Sequence, residues 1–175
     1  HVEVAQPTIR KARVTYGLAQ RNTEKAEDVA HAVLPQPESG PLPPAGFAVF
    51  DGHGGRIAAE SCRSVLEQLV SARKPQEAHD IADAFWRVDE DLGRKGVTAG
   101  TTATLLLVQE EDTRLACTLA WAGDSTGMCV NMLERAHLIQ ATTRPHLPTD
   151  EGEVARMELQ WAVRRKLRSC PEWDF

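Results

Sequence analysis

A carboxylate, an imidazole and three glycines follow one another in this chain as Asp51, Gly52, His53, Gly54 and Gly55. A carboxylate beside a backbone carbonyl offers the hard oxygen donors that Mg²⁺ and Mn²⁺ prefer. The imidazole can transfer a proton near neutral pH. Glycines lack a Cβ, so the backbone can turn sharply and come close to a ligand. The motif therefore suits a metal site with an acid–base group, and the simpler alternative is a glycine-rich turn with a surface histidine.

This motif stands between two predicted elements. The apolar run Phe47–Phe50 directly before it predicts a short buried strand. After the glycines, apolar residues recur at helical spacing from Ala58 to Leu69, and Pro75 ends the predicted helix. Asp51 is therefore expected where a strand ends and the chain turns towards a helix.

The remaining elements follow from hydrophobic periodicity. It predicts strands over Val14–Leu18, Val29–Leu34, Thr101–Val108, Leu115–Trp121, Gly127–Leu133 and Ala136–Gln140, and helices over Ala78–Leu92 and Glu151–Leu167. Residues 35–44 are rich in proline and glycine and predict a loop, and the polar residues 109–114 predict a hairpin turn. Strands, then two helices, then strands indicate the α+β class with antiparallel pairing.

Composition narrows the function classes. The chain has 175 residues, enough for one domain, and its formal net charge of −5 argues against nucleic acid or an anionic membrane as the partner. No apolar run approaches the roughly 20 residues that a membrane-spanning helix needs. Four widely spaced cysteines form no CxxC pair and indicate a reducing compartment. We expect an intracellular, cytoplasmic protein, or an organellar one if a targeting segment preceded His1.

Four more segments carry side chains that suit the same chemistry. They are Glu27-Asp28 before a strand, Gly100-Thr101-Thr102-Ala103 at the start of a strand, Trp121-Ala122-Gly123-Asp124-Ser125 at the end of one, and Pro145-His146-Leu147-Pro148 followed by Glu153 to Arg156. Alone, Glu27 and Asp28 are solvated charges and Asp124 is a turn residue; beside the Asp51 motif they become site candidates. Thr101 and Thr102 are most simply strand residues.

In this order, the segments resemble the metal-dependent protein serine/threonine phosphatases of type 2C. The sequence FAVFDGHGG at 47–55 is the most specific part, AGDS at 122–125 is less so, and GTTA at 100–103 is weak. The Pro145-His146 pair is similar to the calcium/calmodulin-kinase phosphatase branch. The resemblance covers residues 14–158, as the N-terminal half of the family only, with an N-terminal extension at 1–13 and a divergent tail at 159–175.

The resemblance implies an antiparallel β-sandwich flanked by helices, incomplete at its C-terminal side. It also implies a site for two Mn²⁺ or Mg²⁺ ions at one end of the sandwich, where a metal-activated water attacks phosphorus. The implied ligands are Asp51 as a bridge, Gly52 through its carbonyl, Asp28 through water and Asp124 at a weaker position, with Glu27 as support. His53 is implied to protonate the leaving serine or threonine oxygen.

The chain departs from the family pattern at four points. Thr23 stands where an arginine binds the substrate phosphate in the family, and Arg21, two residues away, is the candidate replacement. Pro145 replaces an aspartate, which the nearest branch tolerates. No glycine pair follows Arg156. The two later metal-binding aspartates of the family lie in segments that this sequence does not contain.

The implied function is dephosphorylation of phosphoserine or phosphothreonine in a phosphoprotein substrate. The alternative is a catalytically inactive phosphatase-like domain that serves as a binding or structural subunit, with a protein partner covering open sheet edges. A third alternative is an unrelated α+β metal-binding domain that shares Asp-Gly-His by chance. The presence of four further segments in family order argues against it.

Overall fold

The structure, a computed structural model, describes residues 15–19, 26–34, 44–72, 77–111, 114–133 and 136–168. Within them the chain forms, in order, β1 (Val29–Val33), β2 (Ala45–Phe50), β3 (Gly52–His53), α1 (Ile57–Ser71), α2 (Ala78–Arg94), β4 (Gly100–Thr101), β5 (Ala103–Glu111), β6 (Arg114–Ala122), β7 (Met128–Leu133), β8 (Ala136–Thr142) and α3 (Glu151–Arg168). This composition confirms the predicted α+β class.

All strand pairs are antiparallel, as predicted. The main sheet has the order β1-β2-β5-β6, while β3 pairs with β4 and β7 pairs with β8. The β2–β5 register runs to Val49 opposite Thr104, and the β3–β4 register begins with Gly52 opposite Thr101. The chain therefore changes from the main sheet to the small sheet at Asp51.

Two element predictions are corrected. The described residues of the predicted Val14–Leu18 strand, 15–18, form no strand, and Tyr16 instead lies against Phe47 with ring centroids 5.4 Å apart. The predicted hairpin turn over 109–114 is too long, because β5 continues to Glu111 and β6 starts at Arg114. Cross-strand pairing of Gln109 with Ala116 outweighs the polar composition that suggested a loop.

The core lies between the main sheet and the two central helices. Phe50, Leu105 and Leu107 are fully buried on one face of the sheet, at alternate strand positions as the period of two requires. Helix α1 lies directly on this face. A Cβ at Gly46 would approach Val70 Cγ2 to 2.7 Å and Leu66 Cδ1 to 2.8 Å, so Gly46 permits the close helix–sheet contact.

The other face of the main sheet is only partly covered. β7 begins above it, because a Cβ at Gly127 would lie 2.9 Å from Leu119 Cδ1 and 3.0 Å from Thr104 Cγ2. A cavity of about 400 Å³ separates this face from β7, and Phe47, Val49 and Leu106 are among the apolar residues that line it. The sandwich expected from the sequence is therefore loosely filled over the described residues.

The helix ends show local hydrogen bonds that fix their positions. The Glu77 amide donates to Asp80 Oδ2 at 3.1 Å in a capping box at the start of α2. At the start of α3, the Glu153 amide donates to Asp150 Oδ1 at 3.2 Å. In the part of the chain that the structure describes, no helix combines the length and apolar character needed to cross a membrane.

Candidate functional site

Asp51 is the single residue between β2 and β3, and its backbone is bonded by Thr101 and by Thr102, the single residue between β4 and β5. Its carbonyl oxygen accepts hydrogen bonds from the Thr102 amide at 2.9 Å and from Thr101 Oγ1 at 3.1 Å. Its own amide donates to Thr102 Oγ1 at 3.2 Å. The backbone of Asp51 is thus bonded on both sides while its carboxylate faces solvent.

Gly52 allows the Glu27–Asp28 segment to reach Asp51. An ideal Cβ at Gly52 would lie 2.3 Å from the Glu27 carbonyl oxygen, closer than any side chain tolerates. A glycine is therefore required here for the close approach of two backbone segments, in addition to the carbonyl ligand that the sequence suggested.

The glycine loop and the Glu27 segment are joined by two further hydrogen bonds. The Gly55 amide donates to Glu27 Oε1 at 2.8 Å, and Arg56 Nη1 donates to the Ala26 carbonyl at 2.9 Å. Ala26 has a φ of 46°, a left-handed conformation that is costly for a residue with a Cβ. These contacts hold Ala26 in that conformation and direct Asp28 towards the site.

Three carboxylates share one electrostatic environment. The pKa of Asp51 is raised, first by partial removal from water, then by the charge of Asp28 and a side-chain hydrogen bond with it, and then by the charge of Asp124. The charge of His53 opposes this and lowers the pKa of Asp51. The structure therefore places Asp28, Asp124 and His53 each within electrostatic range of Asp51.

The carboxylates fit a cation in part. Asp28 and Asp51 are close enough for their charges to repel, and a divalent cation would relieve this repulsion. Within the described ranges, however, no three His, Cys, Asp or Glu side chains are close enough together to form a metal site. Asp124 acts on Asp51 only through its charge. The donor chemistry is that of a hard cation held by a carboxylate pair, with a third carboxylate farther away.

His53 lies on β3, exposed, with its imidazole against the backbone of Gly100. A Cβ at Gly100 would lie 2.5 Å from His53 Nε2 and 2.6 Å from Cε1. His53 also borders a cavity of about 560 Å³, whose wall includes Phe85 and Trp86 of α2. The ring is thereby held against Gly100 and is exposed to solvent, where it can take part in proton transfer.

The turn that carries Asp124 is supported from two sides. Gly123 has a φ of 100°, and its amide donates to His146 Nδ1 at 3.3 Å, while the His146 amide donates to the Gly123 carbonyl at 3.0 Å. The Trp121 indole donates to the Arg144 carbonyl at 2.7 Å. His146 is a structural loop residue in this arrangement, in agreement with its position between two prolines.

Sequence reasoning missed one residue of the site and could not place another. Thr102, predicted as an ordinary strand residue, bonds Asp51 and also contacts Ser125 Oγ at 2.6 Å. No local pattern signals this, because its partners are 51 and 23 residues away in the chain. Arg21, the candidate phosphate-binding residue, and Thr23 lie outside the described residues.

Comparisons with known proteins point to one family. The family profile described as Protein phosphatase 2C matches residues 13–161. Human protein phosphatase 1F is 33% identical over 153 residues, which cover 80% of this chain and 32% of that protein. Protein phosphatase fem-2 of Caenorhabditis elegans is 30% identical over 149 residues, with 79% and 32% covered.

A plant protein is similar over the same region. The relative described as Probable protein phosphatase 2C 14, of Arabidopsis thaliana, is 29% identical over 153 residues, covering 83% of this chain and 32% of that protein. The chain thus spans about a third of the length of these relatives.

Proposed function

The chain belongs to the protein phosphatase 2C family, as its sequence predicted, and we propose that it carries out metal-dependent hydrolysis of phosphoserine or phosphothreonine in protein substrates. Human protein phosphatase 1F also matches the predicted branch. The observation that carries the proposal is the Asp28–Asp51 carboxylate pair next to His53, at the end of β2. We assign this function to the partial domain over residues 14–158.

The proposed cofactor is Mn²⁺ or Mg²⁺, with two ions in a complete site. Asp51, Asp28, the Gly52 carbonyl and, more weakly, Asp124 would hold the ions. When bound, the ions would activate a water and neutralise charge on the phosphate. The support is the oxygen chemistry of these groups and the repulsion between Asp28 and Asp51.

His53 is the proposed general acid for the leaving serine or threonine oxygen. Its support is its position: the imidazole is exposed, lies against Gly100, and is near enough to Asp51 to affect the pKa of that carboxyl. A covalent route is disfavoured at Cys62, the thiol that lines the same cavity as His53. Burial raises the pKa of Cys62 to about 11, so this thiol stays protonated at neutral pH and is a poor nucleophile.

Two residues support the site without carrying the chemistry. Glu27 accepts the Gly55 amide and so fixes the glycine loop relative to Asp28. Arg21 is proposed to bind the substrate phosphate, on the basis of its charge and its place in the sequence before Glu27-Asp28.

The test is phosphate release from a phosphothreonine peptide by the purified protein, with Mn²⁺ and with a chelator. We expect release only with Mn²⁺, and its loss in Asp51→Ala and in His53→Ala. Asp83→Ala, on the exposed face of α2, serves as the matched carboxylate control and should retain the activity. Release that is unaffected by the chelator, or by Asp51→Ala, would refute the proposal.

A second candidate function is a catalytically inactive phosphatase-like domain that binds a partner protein. It is favoured by apolar side chains that remain open to solvent, with exposed fractions of 49% for Val49, 56% for Met128 and 61% for Ile139. A partner packed against the loosely filled sandwich and its open strand edges would cover them. Calorimetry with Mn²⁺ separates the two: tight binding supports the enzyme, and no binding supports the partner-binding domain.

The proposed compartment is the cytoplasm. Among the described residues, Cys62, Cys117 and Cys129 are free thiols, which fits a reducing environment. The proposed substrate class, phosphoproteins, is also present there. Labelled protein found only in an oxidising compartment would contradict this assignment.

A further inference from the structure

We propose that Thr102 is a positioning residue whose hydroxyl couples Asp51 to the turn that carries Asp124. This inference rests on the proposed function, because the coupling matters only if the two carboxylates act in one metal site. It adds to that function a residue that neither the motif nor the chemistry of carboxylates identifies.

The first argument is where Thr102 lies. It occupies the one-residue break between β4 and β5, and Asp51 occupies the facing break between β2 and β3. Reciprocal hydrogen bonds join the breaks: the Thr102 amide to the Asp51 carbonyl at 2.9 Å, and the Asp51 amide to Thr102 Oγ1 at 3.2 Å. The second bond needs the hydroxyl, so the side chain takes the place of a missing ladder contact.

The second argument is what the same hydroxyl does on its other side. Thr102 Oγ1 lies 2.6 Å from Ser125 Oγ, a direct hydrogen bond to the residue after Asp124. A hydroxyl accepts through two lone pairs and donates one proton, so Thr102 can accept from Asp51 and bond Ser125 at the same time. One oxygen atom therefore connects the two carboxylate-bearing turns.

The third argument is that the methyl group of Thr102 makes a contact that the hydroxyl does not make. A Cβ at Gly123 would lie 2.9 Å from Thr102 Cγ2, so the methyl packs against the left-handed Gly123 backbone. The two branches of this side chain thus make different contacts. Valine keeps the methyl and loses the hydroxyl, whereas serine keeps the hydroxyl and loses the methyl, which makes the two contributions separable by mutation.

The consequence concerns the distance between the two turns. The Thr102 hydroxyl joins the turns directly, since it lies 3.2 Å from the Asp51 amide nitrogen and 2.6 Å from Ser125 Oγ. Without the hydroxyl this link is lost, and the turns keep separate bonds, from the Thr102 amide to the Asp51 carbonyl and from the Thr104 hydroxyl to the Ser125 carbonyl. The cation bound between Asp51 and Asp124 should then bind more weakly, while the backbone on either side remains folded.

The experiment is a Mn²⁺ titration by calorimetry of the wild-type protein, Thr102→Val, Thr102→Ser and Thr104→Val. Thr104 is the matched control, because its hydroxyl donates to the Ser125 carbonyl at 3.0 Å and does not contact Asp51. We expect Thr102→Val to weaken Mn²⁺ binding about tenfold, as for a lost partly buried hydrogen bond. Thr102→Ser and Thr104→Val should stay within about threefold of wild type.

A second measurement separates this inference from the proposed function. Hydrogen exchange of the Asp51 amide in metal-free protein reports the hydroxyl contact directly, and it should be about tenfold faster in Thr102→Val than in Thr102→Ser. If the wild type binds no Mn²⁺ but exchange follows this pattern, the coupling stands and the metal function fails.

Equal exchange in the serine and valine variants would overturn the coupling, as would unchanged Mn²⁺ binding in Thr102→Val. Should Thr102→Val fail to fold, Ser125→Ala removes the other hydroxyl of the same bridge. It is expected to weaken Mn²⁺ binding about as much as Thr102→Val, and no weakening would count against the proposal.

Discussion

The imidazole of His53 lies directly against the backbone of Gly100, such that a Cβ at Gly100 would lie 2.5 Å from His53 Nε2. The two residues are paired across β3 and β4. This contact explains why a glycine precedes Thr101 and Thr102: a side chain at position 100 would occupy the place of the ring. It also fixes the orientation of the proposed general acid.

Gly100→Ala should therefore impair catalysis as severely as His53→Ala does. The added methyl must displace the imidazole, because the three atoms nearest to a Cβ at Gly100 all belong to the His53 ring. We expect a loss of about 10²-fold or more in kcat, the range typical of a removed acid–base group. Steady-state hydrolysis of a phosphothreonine peptide measures it.

Gly93→Ala is the matched control for that substitution. A Cβ at Gly93 would meet no atom within 4 Å, and the residue lies in the last turn of α2. Its hydrolysis rate should equal wild type, with a gain in stability of about 0.5–1 kcal/mol from the higher helix propensity of alanine. A fully active Gly100→Ala would refute the placement of His53.

Gly52→Ala should destabilise the fold and separate Asp28 from Asp51. The new methyl would lie 2.3 Å from the Glu27 carbonyl, so the Ala26–Asp28 segment must move. We expect a loss of about 1–3 kcal/mol in the free energy of unfolding, as for other overpacked sites, and weaker Mn²⁺ binding. Denaturant melts and calorimetry measure the two effects, and Gly17→Ala, with no atom within 4 Å of its Cβ, is the control.

Glu27→Ala should loosen the glycine loop, whereas Glu27→Gln should largely preserve it. Both glutamate and glutamine present an oxygen that can accept the Gly55 amide, 2.8 Å away in the structure, and alanine does not. We expect a loss of about 1 kcal/mol in the free energy of unfolding for alanine, with glutamine near wild type. Equal losses in both variants would indicate that the charge, rather than the hydrogen bond, is what matters.

Asp51→Asn should stabilise the metal-free protein at neutral pH. Because the pKa of Asp51 is raised, by partial removal from water and by Asp28, the folded protein holds this proton more tightly than the unfolded chain does. The stabilisation is present in full below the ordinary aspartate pKa and is lost as the pH rises through the raised one. The asparagine variant avoids that loss.

Thermal melts at about pH 3, below the ordinary aspartate pKa, and at about pH 7 provide the measurement. The Tm of Asp51→Asn should exceed that of wild type more at the higher pH, and Asp83→Asn should show no such difference. Mn²⁺ should raise the Tm of wild type and leave Asp51→Asn unchanged. A lower Tm for Asp51→Asn at both pH values would contradict the electrostatic account.

Local sequence patterns predicted the parts of the fold that depend on local physics. The apolar run Phe47–Phe50 indicated a buried strand, and the period near 3.6 indicated the helix after Ala58, because both patterns reflect which side chains are buried. The Val14–Leu18 prediction was wrong, since the contact of Tyr16 with Phe47 is a tertiary one and the described residues make no ladder. A short, apolar and β-prone segment does not by itself identify a pairing partner.

For the candidate site, too, local signals could be predicted from the sequence and tertiary contacts could not. Asp51 and His53 were predicted as site residues because their types and spacing are unusual. Glu27 and Asp28 were predicted because they occur in the same sequence as the Asp51 motif. Thr102 was missed, since a threonine at a strand start is common and its value here comes from partners on other elements. Its role depends on a register that no local sequence window contains.

The central claim is that Asp51 belongs to a metal-dependent phosphatase site, and one measurement tests it most directly. Phosphate release from a phosphothreonine peptide is followed at increasing Mn²⁺, for wild type and Asp51→Ala side by side. We predict release that rises with Mn²⁺ to saturation in wild type and stays at background in Asp51→Ala. Background release by wild type at every Mn²⁺ concentration, or equal release by both proteins, would contradict the claim.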